Sequence, residues 1–263
     1  MSGFTWAVAD LDALAKSVAI VLLGQSQHAA RIIAALEPVA PAFSDAELIA
    51  DARVQMLIRG TTENERKVSR FHRDGFLFEC MSWIVARQGA NERTFFKDPH
   101  IDATSHGLDG LIVELHPTDP EIRCATICED KCTTNARLLF KRDVMRAFGD
   151  HHSNKRSRDL IANAAAIIRE SGLNGTDASK AAASVLKKSV RNYRAALTTG
   201  VLAGERRARL FRGFNGLDGI TQAQRIGATF EIAGDIRVWF QQLAEGVMAA
   251  LDEFAATPDE NDV

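Results

Sequence analysis

Apolar residues recur at helical spacing from 8 to 36, with a break near Gly24, and EPVAPAF at 37–43 then places two prolines where a helix must stop. SDAELIADARVQMLIR at 44–59 resumes the period. It opens with Ser44 and, three residues on, Glu47, the spacing of a capping box. GTTENERKVSR at 60–70 is polar and reads as a loop or a helix start. From Phe71 to Arg87 the pattern is that of an amphipathic helix on which Phe76, Glu79, Cys80 and Trp83 lie near one another.

The period then changes. FFKDPHI, LIVEL and IRCATICEDK are short and rich in apolar or β-branched residues, and HPTDPE between the last two supplies the Pro and Asp of a tight connection. Three strands are expected, near 95–101, 108–115 and 122–131. After Thr133 the helical period returns in TTNARLLFKRDVMRAF, RSRDLIANAAAIIRES and DASKAAASVLKKSVRNYRAAL, the second ended by Gly172 and the third capped by Thr176 or Asp177. RARLFRGF at 207–214 and RIGATFEI at 225–232 read as a second β-like region. An amphipathic helix from about Asp235 to Phe254 and a frayed acidic tail close the chain. The fold class expected is α/β (α+β).

With 263 residues, 46% of them hydrophobic, the chain can fill a sizeable core. Its longest apolar run, SVAIVLLG, is far short of the ~20 residues of a membrane-spanning helix, and MSGFTWAVAD lacks the basic start of a secretory signal. A cytoplasmic protein is expected. Four cysteines, at 80, 124, 128 and 132, are too few for a disulfide framework in a chain of this size.

Charge is unevenly divided. Residues 137–212 carry 17 Lys and Arg against 6 Asp and Glu, and the remainder carries 15 against 28. A basic segment inside a near-neutral chain suits a phosphate-binding face, and equally a solvated helical surface. The candidate nucleic-acid contacts are Lys155, Arg156 and Arg158 at the start of one helix, and Lys187, Lys188 and Arg191, with Arg194, at helical spacing on another.

The sharpest constellation is Asp109 with Glu129, Asp130 and Lys131. Strand side chains alternate, so Glu129 and Lys131 share a face and Asp130 takes the other. A hairpin about HPTDPE brings the start of the first strand beside the end of the second, and Asp109 opposite Glu129. Two carboxylates beside an amine suit Mg²⁺, which binds oxygen ligands and bridges carboxylates to substrate phosphates. A strand-end ion pair with a turn aspartate is the plainer alternative, although buried carboxylates are costly unless paired or metal-bound.

On these residues, Asp109 in GLDG and Glu129-Asp130-Lys131 in CEDK, the sequence resembles the PD-(D/E)XK nuclease superfamily. The element order, helix, three strands, helix, is similar to that family's α-β-β-β-α-β core. The resemblance implies a restriction-endonuclease-like core in which a mixed sheet is flanked by helices. It implies metal ligation by Asp109, Glu129 and the Asp130 carbonyl, with Lys131 assisting the attacking water, Glu79 on the first core helix as a further ligand, and Mg²⁺ or Mn²⁺ as cofactor. Leu108 stands where the family often has proline. The helical N-terminal part and helical insertion are similar to those of nucleases in bacterial antiviral systems, the Hachiman-type subunit among them. That implies DNA rather than RNA as substrate and a helicase or ATPase partner.

In these terms the organisation expected is an N-terminal helical region at 1–70, the first part of a core at 71–150, and a helical insertion at 151–204. Residues 205–256 would complete the core, with RIGATFEI or RARLFRGF as its last strand, and 257–263 would be a disordered tail. A non-catalytic nucleic-acid-binding or complex-forming subunit with the same fold is the alternative.

Cys124, Cys128 and Cys132 fall on one strand face about 13 Å apart at ~3.3 Å per residue, too far to share a zinc, and face away from Glu129. At least Cys124 and Cys128 read as small core residues. His100 and His106 lie near Asp109 in sequence, whereas His151 and His152 end a helix, where a dipole contact accounts for them. The second GLDG, at 216–219, is read as a turn.

Overall fold

The computed structural model describes residues 2–36, 45–100, 107–169, 171–202 and 204–256. By its packing the chain divides into two units. The first comprises Met1–Ala7, Val85–Pro99 and His106–Ala233; the second comprises Val8–Ile84, His100–Ser105 and Gly234–Val263.

The first unit is built on a six-stranded mixed sheet flanked by helices. In chain order its strands are β1 (Ser2–Ala7), β2 (Thr94–Phe96), β3 (Gly110–Leu115), β4 (Ile122–Lys131), β5 (Arg191–Thr199) and β6 (Arg225–Glu231), and in space they run β1-β6-β5-β4-β3-β2. β2, β3 and β4 form an antiparallel meander, and β4, β5, β6 and β1 are parallel. A parallel neighbour needs a crossover. The one from β4 to β5 contains two short helices, Ala136–Leu139 and Met145–His152, joined by a π turn at Phe140–Val144, and then the helices Ser157–Arg169 and Gly175–Ser184.

One sheet face shows why this crossover packs. Leu111, Val113, Ala125, Ile127, Tyr193, Ala195 and Leu197 point the same way and are buried with Phe140, Val144, Phe148, Leu160 and Ile168. Phe140, Val144 and Phe148 recur every four residues, so one helical stripe reaches the sheet. Phe140 meets Phe211 and Phe214 edge-on at 5.3 and 5.5 Å, and Phe148 meets Tyr193 edge-on at 5.2 Å. Each such buried ring contributes roughly 1.5–3 kcal/mol.

Three expectations change here. The segment 177–197 is not one helix: the helix stops at Ser184 and β5 begins at Arg191, inside the stretch read as a helical insertion. β5 is a central parallel strand buried on nearly every residue, so its sequence lacks the alternation that marks a half-exposed strand. RARLFRGF is also not a strand; it spans a helix, Gly204–Leu210, and a 3₁₀ turn at Phe214–Gly216, and RIGATFEI alone supplies β6. The cap of the Gly175–Ser184 helix is Asn174, whose side chain accepts the Asp177 N–H at 2.9 Å.

β1 lies inside the region read as helical. It is a mostly exposed edge strand held by its pairing with β6, and local pattern carries no sign of that partner.

The second unit is helical: Leu11–Leu36, Asp45–Met56, the greater part of Glu63–Arg87, and Ile236–Ala256. The polar stretch at 60–70 proves to be a helix start, with a reciprocal capping box in which Thr62 Oγ1 accepts the Glu65 N–H at 3.2 Å and Glu65 Oε2 accepts the Thr62 N–H at 3.0 Å. Ser44, the cap expected for the preceding helix, and the tail 257–263 lie outside the described residues. Among the described residues no helix is long and apolar enough to cross a membrane.

Candidate functional site

β3 and β4 pair antiparallel with Gly110 opposite Cys128, which puts Asp109, one residue earlier, at the level of Glu129. The approach is close: a Cβ on Gly110 would lie 3.1 Å from that of Cys128. Beyond β4 the chain is fastened to β5, because Thr198 Oγ1 accepts the Thr133 N–H at 2.7 Å and donates to the Thr133 carbonyl at 2.9 Å. The end of β4 is therefore held from both sides.

At that end three charged side chains meet. Lys131 Nζ donates to Asp109 Oδ2 at 2.9 Å and lies 3.2 Å from Glu129 Oε2. Asp109 Oδ2 also accepts the Asp130 N–H at 2.9 Å. The side chain of Glu129 is only 6% exposed, against 21% for Asp109 and 25% for Lys131. The hairpin thus closes 20 residues of sequence separation into one charge cluster, as the strand period and turn implied.

The electrostatics are unbalanced. Burial and then the neighbouring Asp109 push the Glu129 carboxyl up to about 8, against the opposing pull of Lys131. Burial by itself would lower the Lys131 ammonium, but Asp109 and Glu129 outweigh it and hold the group above its ordinary value. A single ammonium serves two carboxylates, and the more buried one is left short of positive charge. Oxygen donors with a deficit of positive charge are the chemistry a hard divalent cation satisfies, so Asp109 and Glu129 fit Mg²⁺ or Mn²⁺ in kind. Among the described residues, however, no group of three or more His, Cys, Asp or Glu side chains is arranged to hold a metal.

Asp130 turns to the opposite face, where its Oδ1 lies 3.6 Å from Arg194 Nη1. Only its main chain belongs with Glu129. Glu79 belongs to the second unit, where its buried carboxylate accepts the His100 N–H and meets His100 Nδ1, both at 2.9 Å. His106 lies outside the described residues. Cys128 is buried on the Asp130 face, and its thiol is pushed up to about 12, chiefly by burial, so it packs the core as expected.

The basic candidates separate. Lys155, Arg156, Arg158, Lys187 and Lys188 are exposed, with Lys155 paired to Asp150 at 3.0 Å. Arg191 is fully buried and cannot meet a nucleic acid. Its Nε donates to the Val185 carbonyl at 2.6 Å and its Nη1 to the His151 carbonyl at 2.8 Å, satisfying carbonyls that two helix ends leave open. Arg194 is also buried, in β5 rather than on a helix.

His151 departs from the dipole account. It is buried, among the described residues neither ring nitrogen has a hydrogen-bond partner, and burial, then Arg156 and Arg191, push it down to about 4. It is a neutral imidazole. Sequence reasoning also passed over Asp143, which follows the site on the π turn. Arg142 holds its carboxyl below the ordinary value, with Arg146 and Lys131 acting in the same sense. The available signal was the place of this helix, directly after CEDK.

No protein-family model, curated protein or solved structure matches the chain.

Proposed function

We propose that the protein is a metal-dependent nuclease of the PD-(D/E)XK type, hydrolysing phosphodiester bonds in DNA. The observation that carries this reading is the shared end of β3 and β4, where Asp109 and Glu129 both reach Lys131. The order of helix, three-strand meander, helical crossover and parallel strand supports a restriction-endonuclease-like core, with β5 in the place of the last strand.

Asp109 and Glu129, with the Asp130 carbonyl, would hold Mg²⁺ or Mn²⁺. When bound, such an ion would supply a water of lowered pKa and would offset charge on the phosphoryl oxygens. Lys131 stays protonated, so it orients a water and faces the developing negative charge rather than acting as a base. Glu129 would have to release its proton to solvent before it could hold such an ion. Glu79, also expected as a ligand, is left out of this set because His100 engages its carboxylate. A cytoplasmic role in antiviral defence or DNA processing, with a helicase or ATPase partner, belongs to the same proposal.

A second reading has its own support. Lys131 already bridges the two carboxylates, an arrangement that suits a subunit which keeps the fold and binds nucleic acid without cutting it. Incubating DNA and RNA with the wild type, Glu129→Ala and Lys131→Ala in Mg²⁺ or Mn²⁺ separates these readings. Cleavage by the wild type that both substitutions abolish is expected; cleavage that survives both overturns the site.

A further inference from the structure

After β4 the chain enters the helical crossover, and between Arg137 and Arg158 it carries 7 Lys and Arg against 2 Asp. The stripe of Phe140, Val144 and Phe148 is buried, so Lys141, Arg142 and Arg146 fall on the opposite, exposed side. Both acids of the segment are already engaged. Arg142 grips Asp143 through two hydrogen bonds of 2.8 Å, and Lys155 pairs with Asp150 at 3.0 Å. Lys141, Arg146, Arg156 and Arg158 are exposed, and among the described residues none has an ion-pair partner. The backbone widens at Phe140–Val144, where the Met145 N–H reaches back to the Phe140 carbonyl. Such π turns interrupt helices frequently at functional positions.

We propose that Lys141, Arg146, Arg156 and Arg158 form a track on which the sugar–phosphate backbone of duplex DNA lies as it approaches Lys131. The proposal rests on the nuclease reading for its direction, toward the Asp109–Glu129–Lys131 end of the sheet. Two features select a duplex. The track offers cations and no exposed aromatic ring, since Phe140 and Phe148 are both fully buried, whereas single strands are held by stacking on aromatic side chains. Cations alone read the phosphates of a regular helix without regard to sequence. Asp143, gripped by Arg142, lies within electrostatic reach of both Arg146 and Lys131.

The test is fluorescence anisotropy with a short labelled DNA duplex, on the full chain in EDTA so that binding is read without cleavage. The variant Lys141→Glu/Arg146→Glu is compared with wild type and with Lys180→Glu, an exposed cation on the Gly175–Ser184 helix outside the track. The double variant is expected to bind roughly tenfold more weakly, with a salt-dependence slope lower by about 1.8, the loss of two phosphate contacts. Lys180→Glu is expected to match wild type. Equal affinity and slope for the double variant and Lys180→Glu overturn the track, as does wild-type binding to a labelled single strand but not to the duplex.

Adding Mg²⁺ separates the two claims. A wild type that cleaves, with a double variant of undiminished affinity, keeps the nuclease reading and removes the track. A double variant of weakened affinity, in a protein that cleaves nothing, keeps the track and removes the nuclease reading.

Discussion

Two buried charge clusters solve the same problem in opposite ways. In the second unit, Asp74 is fully buried, and both of its oxygens are met by arginines. Arg73 donates to Oδ1 at 3.2 and 2.9 Å, and Arg237 donates to Oδ2 at 2.7 Å. Arg73 is further bound to Gln241 at 2.7 Å, and Arg237 lies 4.4 Å from the ring centre of Phe71. There, two cations serve one carboxylate. At the end of β4, two carboxylates share one lysine, and Glu129 is displaced to about 8. A cluster built only for stability satisfies its charges. The β4 cluster leaves one in need of a cation, and that is the difference between a structural network and a candidate site.

The comparison breaks most visibly through Asp74. Asp74→Ala strands Arg73 in the interior without its carboxylate, and the expected loss is ~3–5 kcal/mol of unfolding free energy, read by urea denaturation. Little or no loss would show that the network is not what holds these helices.

The β4 cluster responds in the opposite sense. Glu129 has its folded pKa raised, so the folded chain holds a proton there that the unfolded chain has released, and stability falls as pH rises from about 4.5 through 8. Glu129→Gln is therefore expected to melt at a higher temperature than wild type at pH 9 and at about the same temperature at pH 4. A variant that is less stable than wild type at pH 9 would refute the charge deficit. In the cleavage assay, Lys131→Ala is expected to lose about 10²–10³-fold in rate, the range for removing one group that stabilises developing charge.

A smaller effect comes from His151, whose folded pKa is lowered to about 4. Its contribution is present above the unfolded value near 6.5 and is lost as pH falls toward 4, about 3 kcal/mol in all. His151→Leu should flatten that acid limb in thermal melts between pH 4 and 7, and an unchanged limb would place the titration elsewhere. The smallest change is Gly110→Ala. Its Cβ meets Cys128 at 3.1 Å, so a cost near 1 kcal/mol is expected, with a larger fall in cleavage because Asp109 is the adjacent residue.

The candidate site was more legible than the fold around it. Asp109, Glu129 and Lys131 were brought together by two local rules, the strand period and the reach of a short connection. Both act within 23 residues. β5 was hidden because its two faces are both covered, so its apolar and polar residues do not alternate, and Ala195 and Ala196 suit a helix as well as a strand. Arg191 was misread with it. Its role depends on where two other helices end, and nothing in the letters around Arg191 records that.

The sequence by itself determined the helical and strand character of most segments, the hairpin about HPTDPE, and the alternation that puts Glu129 and Lys131 on one face with Cys128 and Asp130 on the other. Those follow from local geometry, which each residue carries with it. Tertiary structure decided which strands lie beside β4, which arginines are buried and which are exposed, and how far Glu129 is displaced. Burial and charge pairing are sums over neighbours distant in the chain, and only the folded packing supplies those neighbours.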